Sequence, residues 1–479
     1  MATGVSRAQS TSTARVALAV EDRALADQTA HVLARRGIAC ERVALADAAQ
    51  ADARAIGVVP AEAIGPTQAA DLAPVAARAA AAGRPLVVLA AFPRAIGVRG
   101  EAQAAALAYL RAYGAVLCTD PDAWLEALVL LAAWGAPAGP RVAVIAPAGS
   151  WISGSAQFLA GEAAAAGGRA AALSPDAARV GPTDVVLVDR DEASTARAAM
   201  GERSGGAVVV PLLGRAELCD ERPALVGLRP SLAAVAACGR LRERVRLGLG
   251  PASVDEVTEL GVDSERFQRQ LAKVGARAGD HETKVLLAAW GVPVTRQAVA
   301  TTPSAAIRLA KRAGYPVEVK PWGPDVPLEV DGCPVERGLM TASDVRRACA
   351  AVTRTAGQAS GAPVIVRETP PSGRELRARI AHIAELGLTV LVDIVGAPGP
   401  LAAPAPLRAI DAEEIARHVE ASRLGDPQPD RAALADVLRR ASFLVAASGR
   451  ILSLDLGRVI AAARGDGVLV ADASTVLAD

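Results

Sequence analysis

Short apolar runs alternate with alanine-rich segments of helical length through the first half of the chain, and this restricts the fold more than any other feature. Arg15–Val20, Ala55–Val59, Pro85–Ala90 and Ala115–Cys118 read as strands. The segments between them are long enough for helices, which is the grammar of a parallel sheet covered on both faces. The helix after Asp22 places Leu25, Ala26, Ala30, Val32 and Leu33 on its apolar side and stops at Gly37. A second unit of the same kind starts at Arg141–Ile145, with further strands near Asp184–Val188 and Ala207–Val210. Both are expected to be flavodoxin-like doubly wound domains, over 14–137 and 138–247, after a short disordered tail at 1–13.

A polar stretch, 248–280, reads as a helical linker. From 281 to 479 the pattern changes. Thr302 and Pro303 open a helix that Gly314 ends. Tightly spaced strands follow at Tyr315–Lys320, Pro363–Glu368, Glu375–Ile383 and Leu388–Asp393. Two helices (Asp411–Arg423, Asp430–Ala447) precede closing strands at Arg450–Leu456 and Val468–Ala471. This predicts an α+β domain with mostly antiparallel strands.

Charge and composition exclude several functions. The 52 Lys and Arg residues balance 51 Asp and Glu, leaving a net charge of +1, without the basic excess of a nucleic-acid binder. Aromatic residues make up 3%, too few for base-stacking platforms. The most apolar run, Trp124–Gly135, is short of the roughly 18–20 residues a membrane span needs. No h-region of a secretory signal follows Met1. Six cysteines stand singly with no CxxC, so reduced thiols in a cytoplasmic protein are expected. Only four lysines occur, Lys273, Lys284, Lys311 and Lys320, which makes each worth inspecting.

The run His281-Glu282-Thr283-Lys284-Val285-Leu286-Leu287, continuing to Gly291-Val292-Pro293-Val294, is specific. So is Ala313-Gly314-Tyr315-Pro316-Val317-Glu318-Val319-Lys320. Together they resemble the ATP-grasp domain of the NDP-forming acyl-CoA synthetases, the ADP-forming acetate–CoA ligases and their succinyl-CoA synthetase relatives. Upstream, Asp120-Pro121-Asp122-Ala123-Trp124 and Gly139-Pro140-Arg141-Val142-Ala143-Val144-Ile145 resemble that family's paired flavodoxin-like domains. No G-x-G-x-x-G turn of a CoA-binding Rossmann domain follows the first strand, where Glu21-Asp22 would repel a phosphate.

The resemblance implies the reaction acyl-CoA + NDP + phosphate ⇌ acid + CoA + NTP, with the phosphoryl group carried on histidine between distant sites. The stretch matching the carrier loop, Phe92–Glu101, has no histidine. His31, His281, His382 and His418 all lie in helical or strand patterns. The loop matching the family's H-K-S-D-x-G-G reads Leu328-Glu329-Val330-Asp331-Gly332-Cys333-Pro334. Only Asp331 keeps its identity. Leu328 cannot accept a phosphoryl group, Glu329 replaces a cation, and Pro334 removes a backbone donor.

Some positions survive. Lys320 would contact nucleotide phosphates by the resemblance, or stand as a strand-end lysine with its amine in water. Glu368 or Glu375 would bond adenine or ribose, or serve as a solvated strand glutamate. For magnesium the family uses a D-x-N-P stretch; here it reads Asp455-Leu456-Gly457-Arg458, keeping the aspartate beside an arginine. One carboxylate next to an arginine favours a salt bridge over a metal site. The favoured expectation is a non-catalytic protein on the acyl-CoA synthetase scaffold, with a protein partner or a second copy and with nucleotide or CoA as candidate ligands. The alternatives are a divergent ATP-dependent acyl-CoA ligase using ATP/ADP with Mg, and an ATP sensor binding through Lys320 and Glu375 without turnover.

Overall fold

The computed structural model describes residues 14–90, 98–139, 141–145, 155, 169–173, 185–189, 208–213, 218–219, 222–397, 399–422 and 428–478. Most of the carrier-loop stretch Phe92–Glu101 lies outside these residues. The chain divides into two compact units. One comprises Met1–Ile64, Asp71–Pro93 and Tyr113–Leu249; the other comprises Gly65–Ala70, Arg94–Ala112 and Gly250–Asp479.

The first unit holds two five-stranded parallel sheets. In the first, β1 (Arg15–Val20), β2 (Ala39–Arg42), β3 (Ala55–Val59), β4 (Leu86–Leu89) and β5 (Val116–Cys118) lie in the order 2-1-3-4-5. In the second, β6 (Arg141–Ile145), β7 (Arg169–Leu173), β8 (Val185–Asp189), β9 (Val208–Leu213) and β10 (Leu225–Val226) run 7-6-8-9-10, the same order. This is the doubly wound flavodoxin order expected from the sequence. Central strands read as nearly unbroken apolar runs because both faces are covered; Val16, Ile56, Val87 and Val185 are fully or almost fully buried. Gly57 is required in β3, since a Cβ there would stand 2.9 Å from both Leu18 and Trp124.

The second unit has two antiparallel sheets. The larger, six-stranded sheet orders β11 (Arg277–Ala278), β20 (Val468–Leu477), β19 (Ile451–Ala461), β16 (Arg374–Ile383), β17 (Gly387–Ile394) and β18 (Leu401–Pro404). The smaller, four-stranded one orders β12 (Gln297–Ala300), β15 (Val364–Glu368), β13 (Val317–Pro321) and β14 (Glu336–Leu339). The closing strands β19 and β20 are longer than the sequence suggests. Within 248–280, Val254–Leu260 and Ser264–Leu271 are helical, and Phe267 and Leu271 are buried in this unit's core beside Trp290.

The two sheets are tied covalently and by backbone. Val470 donates to Pro293 and Thr295 to Val470, so residues 293–295 lie along β20 before the chain enters β12. Side chains of β13 and β15 consequently reach β20.

Candidate functional site

Three strands and one helix of the second unit carry five buried charges, which meet where its two sheets approach. Lys320 ends the Val317–Val319 run, Arg367 follows Val364–Val366, Asp472 follows Val468–Ala471, and Lys284 and Asp280 share one side of the helix Asp280–Ala289. All five are buried. A charge in such a place persists only with partners, and each has several.

The Lys320 ammonium lies 2.5 Å from one Asp472 oxygen and 3.7 Å from Asp280. The other Asp472 oxygen accepts the Glu329 backbone N–H at 2.6 Å. Lys284 donates to Asp280, Thr295, Gln297 and the Ala471 carbonyl. Arg367 donates through Nε to Glu318 at 2.8 Å and through Nη1 to the Ala471 carbonyl at 2.6 Å, and it lies 2.5 Å from Glu329. Glu329 also meets Arg337 at 2.6 Å and Arg458 at 3.7 Å.

Protonation follows from this geometry. Burial pulls Lys284 down to about 8, against the attraction of Asp280. Burial would also lower Lys320, but Asp280 and Asp472 outweigh it and raise the ammonium above its ordinary range. For Asp280, burial is overcome by Lys284, Lys320 and Arg367, which bring it to about 2. For Asp472 burial prevails and the shift is upward. Lys284, Lys320, Arg367, Arg337 and Arg458 face Asp280, Asp472, Glu318, Glu329 and Glu375, an equal number of each sign.

A second group lies on the outward face of β16. Burial alternates along this strand, so Arg374, Leu376, Ala378 and Ile380 face inward while Glu375, Arg377 and Arg379 share the other face. Register places Arg377 opposite Asp393 and Arg379 opposite Asp455. The ion pairs run diagonally instead: Arg379 with Asp393 at 3.0 Å, and Arg377 with Asp455 through Nε at 3.0 and 3.2 Å. Arg377 also holds both Asp331 oxygens, at 3.1 and 3.2 Å. Burial raises Asp455 despite Arg377.

Residues 270–477 match the sequence profile of an ATP-grasp domain. These residues form an ATP-grasp domain. The chain is 24% identical over 213 residues to the acetate–CoA ligase [ADP-forming] II subunit beta of Pyrococcus furiosus, covering 41% of this chain and 90% of that one. It is 23% identical to the 4-hydroxybutyrate–CoA ligase [ADP-forming] of Nitrosopumilus maritimus, over 40% of this chain and 30% of that enzyme. Among solved structures, the dinucleotide-forming acetyl-coenzyme A synthetase 1 of Ca. Korarchaeum cryptofilum, in complex with coenzyme A, Ca-AMPCP and HgCl+, is 24% identical. That match covers 44% of this chain and 97% of that one, with a TM-score of 0.39. The family match and the two curated relatives bear out the resemblance to the NDP-forming acyl-CoA synthetases read from the motifs.

Within the ATP-grasp domain, Lys320 is 1% exposed and bound to carboxylates, unlike a strand-end lysine with its amine in water. Glu368 accepts from the Arg296 backbone N–H and side chain at 2.9 and 2.6 Å. Glu375 accepts from Arg458 at 2.6 Å. Asp331 and Asp455 meet on Arg377. The cluster does not include Glu368. Arg458, the last residue of the D-x-N-P remnant, turns to Glu375, and Arg377 of β16 pairs with Asp455. Among the described residues no group of three His, Cys, Asp or Glu side chains is arranged to hold a metal ion. His31 is on an exposed helical face, His382 on an exposed strand position, and His418 bonds the Glu414 carbonyl through Nδ1 at 2.8 Å. Motif reading quoted Lys284 in the matching run without giving it a role, and it missed Asp280, Arg367 and Asp472. For Arg367 and Asp472 the available signal was a charge closing an apolar strand run, which implies a buried partner.

Proposed function

We propose that this acyl-CoA synthetase-like ATP-grasp protein does not carry out phosphohistidine-dependent ligation. It works instead as a binding, regulatory or structural subunit in the cytoplasm, alongside a protein partner or a second copy, with 14–137, 138–247 and 281–479 as its domains. The reading is carried by Arg377, which clamps both residual carboxylates, Asp331 and Asp455. A magnesium–nucleotide needs carboxylate oxygens free to ligate the ion. Here those oxygens are committed to a guanidinium, and the neighbouring cations are matched by carboxylates, so the residues do not fit a magnesium–nucleotide. The sensor reading needs an accessible Lys320 ammonium, whereas this one is enclosed.

The test incubates the purified chain with labelled ATP, magnesium, CoA and acetate, followed by mass spectrometry for phosphohistidine and an assay for acetyl-CoA. The expected result is neither product. Phosphate on any of His31, His281, His382 or His418 during turnover would overturn the reading.

A further inference from the structure

We infer that loop 328–334 is a built-in plug, which closes the seam between the two sheets of the ATP-grasp domain and supplies from the chain itself a carboxylate, Glu329, to Arg367, Arg337 and Arg458. Three contacts seat it. Leu328 is 6% exposed and packs on Gly457 of β19; a Cβ on that glycine would stand 2.9 Å from Leu328 Cδ1, 3.1 Å from Leu328 Cβ and 3.3 Å from an Asp472 oxygen. The Glu329 backbone N–H binds Asp472, the same carboxylate that holds Lys320. The Glu329 carboxylate lies among Arg367, Arg337 and Arg458.

The loop is also closed on itself. Asp331 and Cys333 donate to the Leu328 carbonyl, Arg377 grips Asp331 from the sheet, and the Cys333 thiol is buried beneath the turn. Position 457 admits the plug only because it carries no side chain: β19 bulges between Asp455 and Arg458, and the glycine within the bulge leaves the hollow that Leu328 fills. Arg367, already paired with Glu318, gains a second carboxylate from the loop, and the loop backbone also binds Asp472, the counter-ion of Lys320. The plug therefore acts both as lid and as internal anion.

The inference builds on the proposed absence of phosphoryl transfer, but its test is separate. Cys333 reports the plug: burial pushes its thiol to about 11, so a seated loop resists alkylation. Iodoacetamide labelling of the full chain, read by mass spectrometry of the Cys333 peptide, is compared in wild type, Gly457→Asn and Leu328→Ala/Glu329→Gln. Both variants are expected to label at least ~10-fold faster than wild type, as for a segment moved from a protected to an open state. Inorganic tripolyphosphate is expected to raise the melting temperature of the Leu328→Ala/Glu329→Gln variant, in which Arg367, Arg337 and Arg458 lose the Glu329 carboxylate, and not that of wild type. Wild-type Cys333 labelling as fast as an unfolded peptide, or an ATP-dependent rise in wild-type melting temperature that Lys320→Met abolishes, would overturn the inference. These wild-type measurements decide it even if neither variant folds.

Discussion

Asp280 carries opposite obligations, and its titration makes them measurable. Burial alone would raise its pKa, but Lys284, Lys320 and Arg367 bring the folded value to about 2 from 3.8. A depressed carboxylate contributes stability that is present above the unfolded pKa and lost as pH falls through the folded one. The window is therefore pH 3.8 down to 2, and the contribution is on the order of 2 kcal/mol. Asp472, shifted upward by burial, works in the opposite sense. Asp280→Asn should thus be less stable than wild type at neutral pH and should lose less stability between pH 4 and 2 in urea titrations. Parallel profiles for the two proteins would contradict the assignment. Of this cluster only Lys320 and Glu375 were singled out from the sequence as site residues, Lys320 because its place after Gly314-Tyr315-Pro316 has a recognisable register. Its partner Asp472 is 152 residues away. Nothing local marks such a pairing except a charge at the end of an apolar run.

Elements were easier to read than contacts, because periodicity and capping are local. The helix Pro303–Ala313 begins and ends where Thr302, Pro303 and Gly314 predict, with the Thr302 hydroxyl accepting the Ala305 N–H at 3.1 Å. Thr302→Ala leaves that donor to water and should cost about 1 kcal/mol in chemical unfolding, with Thr302→Ser close to wild type. An alanine variant as stable as wild type would show that tertiary packing alone sets this boundary. Strands β12, β14 and β18 were not anticipated: they have four residues each and only weak alternation. The strand expected at Arg450–Leu456 runs on through the Asp455–Arg458 stretch, which lies within β19 at a bulge. The bulge decides which way these side chains point, and no motif encodes it.

At the scale of the whole molecule, the sequence separates two doubly wound blocks, whereas their sheets share one buried cluster running from Val16 and Leu18 through Trp124 and Leu128 to Val185 and Leu225. One buried carboxylate bridges the blocks inside that core. Glu126, on the helix after β5, accepts from Arg36 at 2.7 Å and from the Val226 backbone N–H at 2.9 Å. Both side chains are buried, and burial raises Glu126 despite its partner. Arg36→Met would leave a carboxylate enclosed without its counter-ion, a change that typically costs about 3–5 kcal/mol. Arg36→Met/Glu126→Leu removes the stranded charge but orphans the Val226 N–H, so recovery should be incomplete, with about 1–3 kcal/mol still missing. Because Glu126, which Arg36 holds in place, joins β10 of one sheet to the helix covering the other, Arg36→Met should reduce amide-exchange protection in β3 and in β8 by the same factor. Loss confined to β3 would mean that the two sheets open independently and that the shared cluster does not couple them.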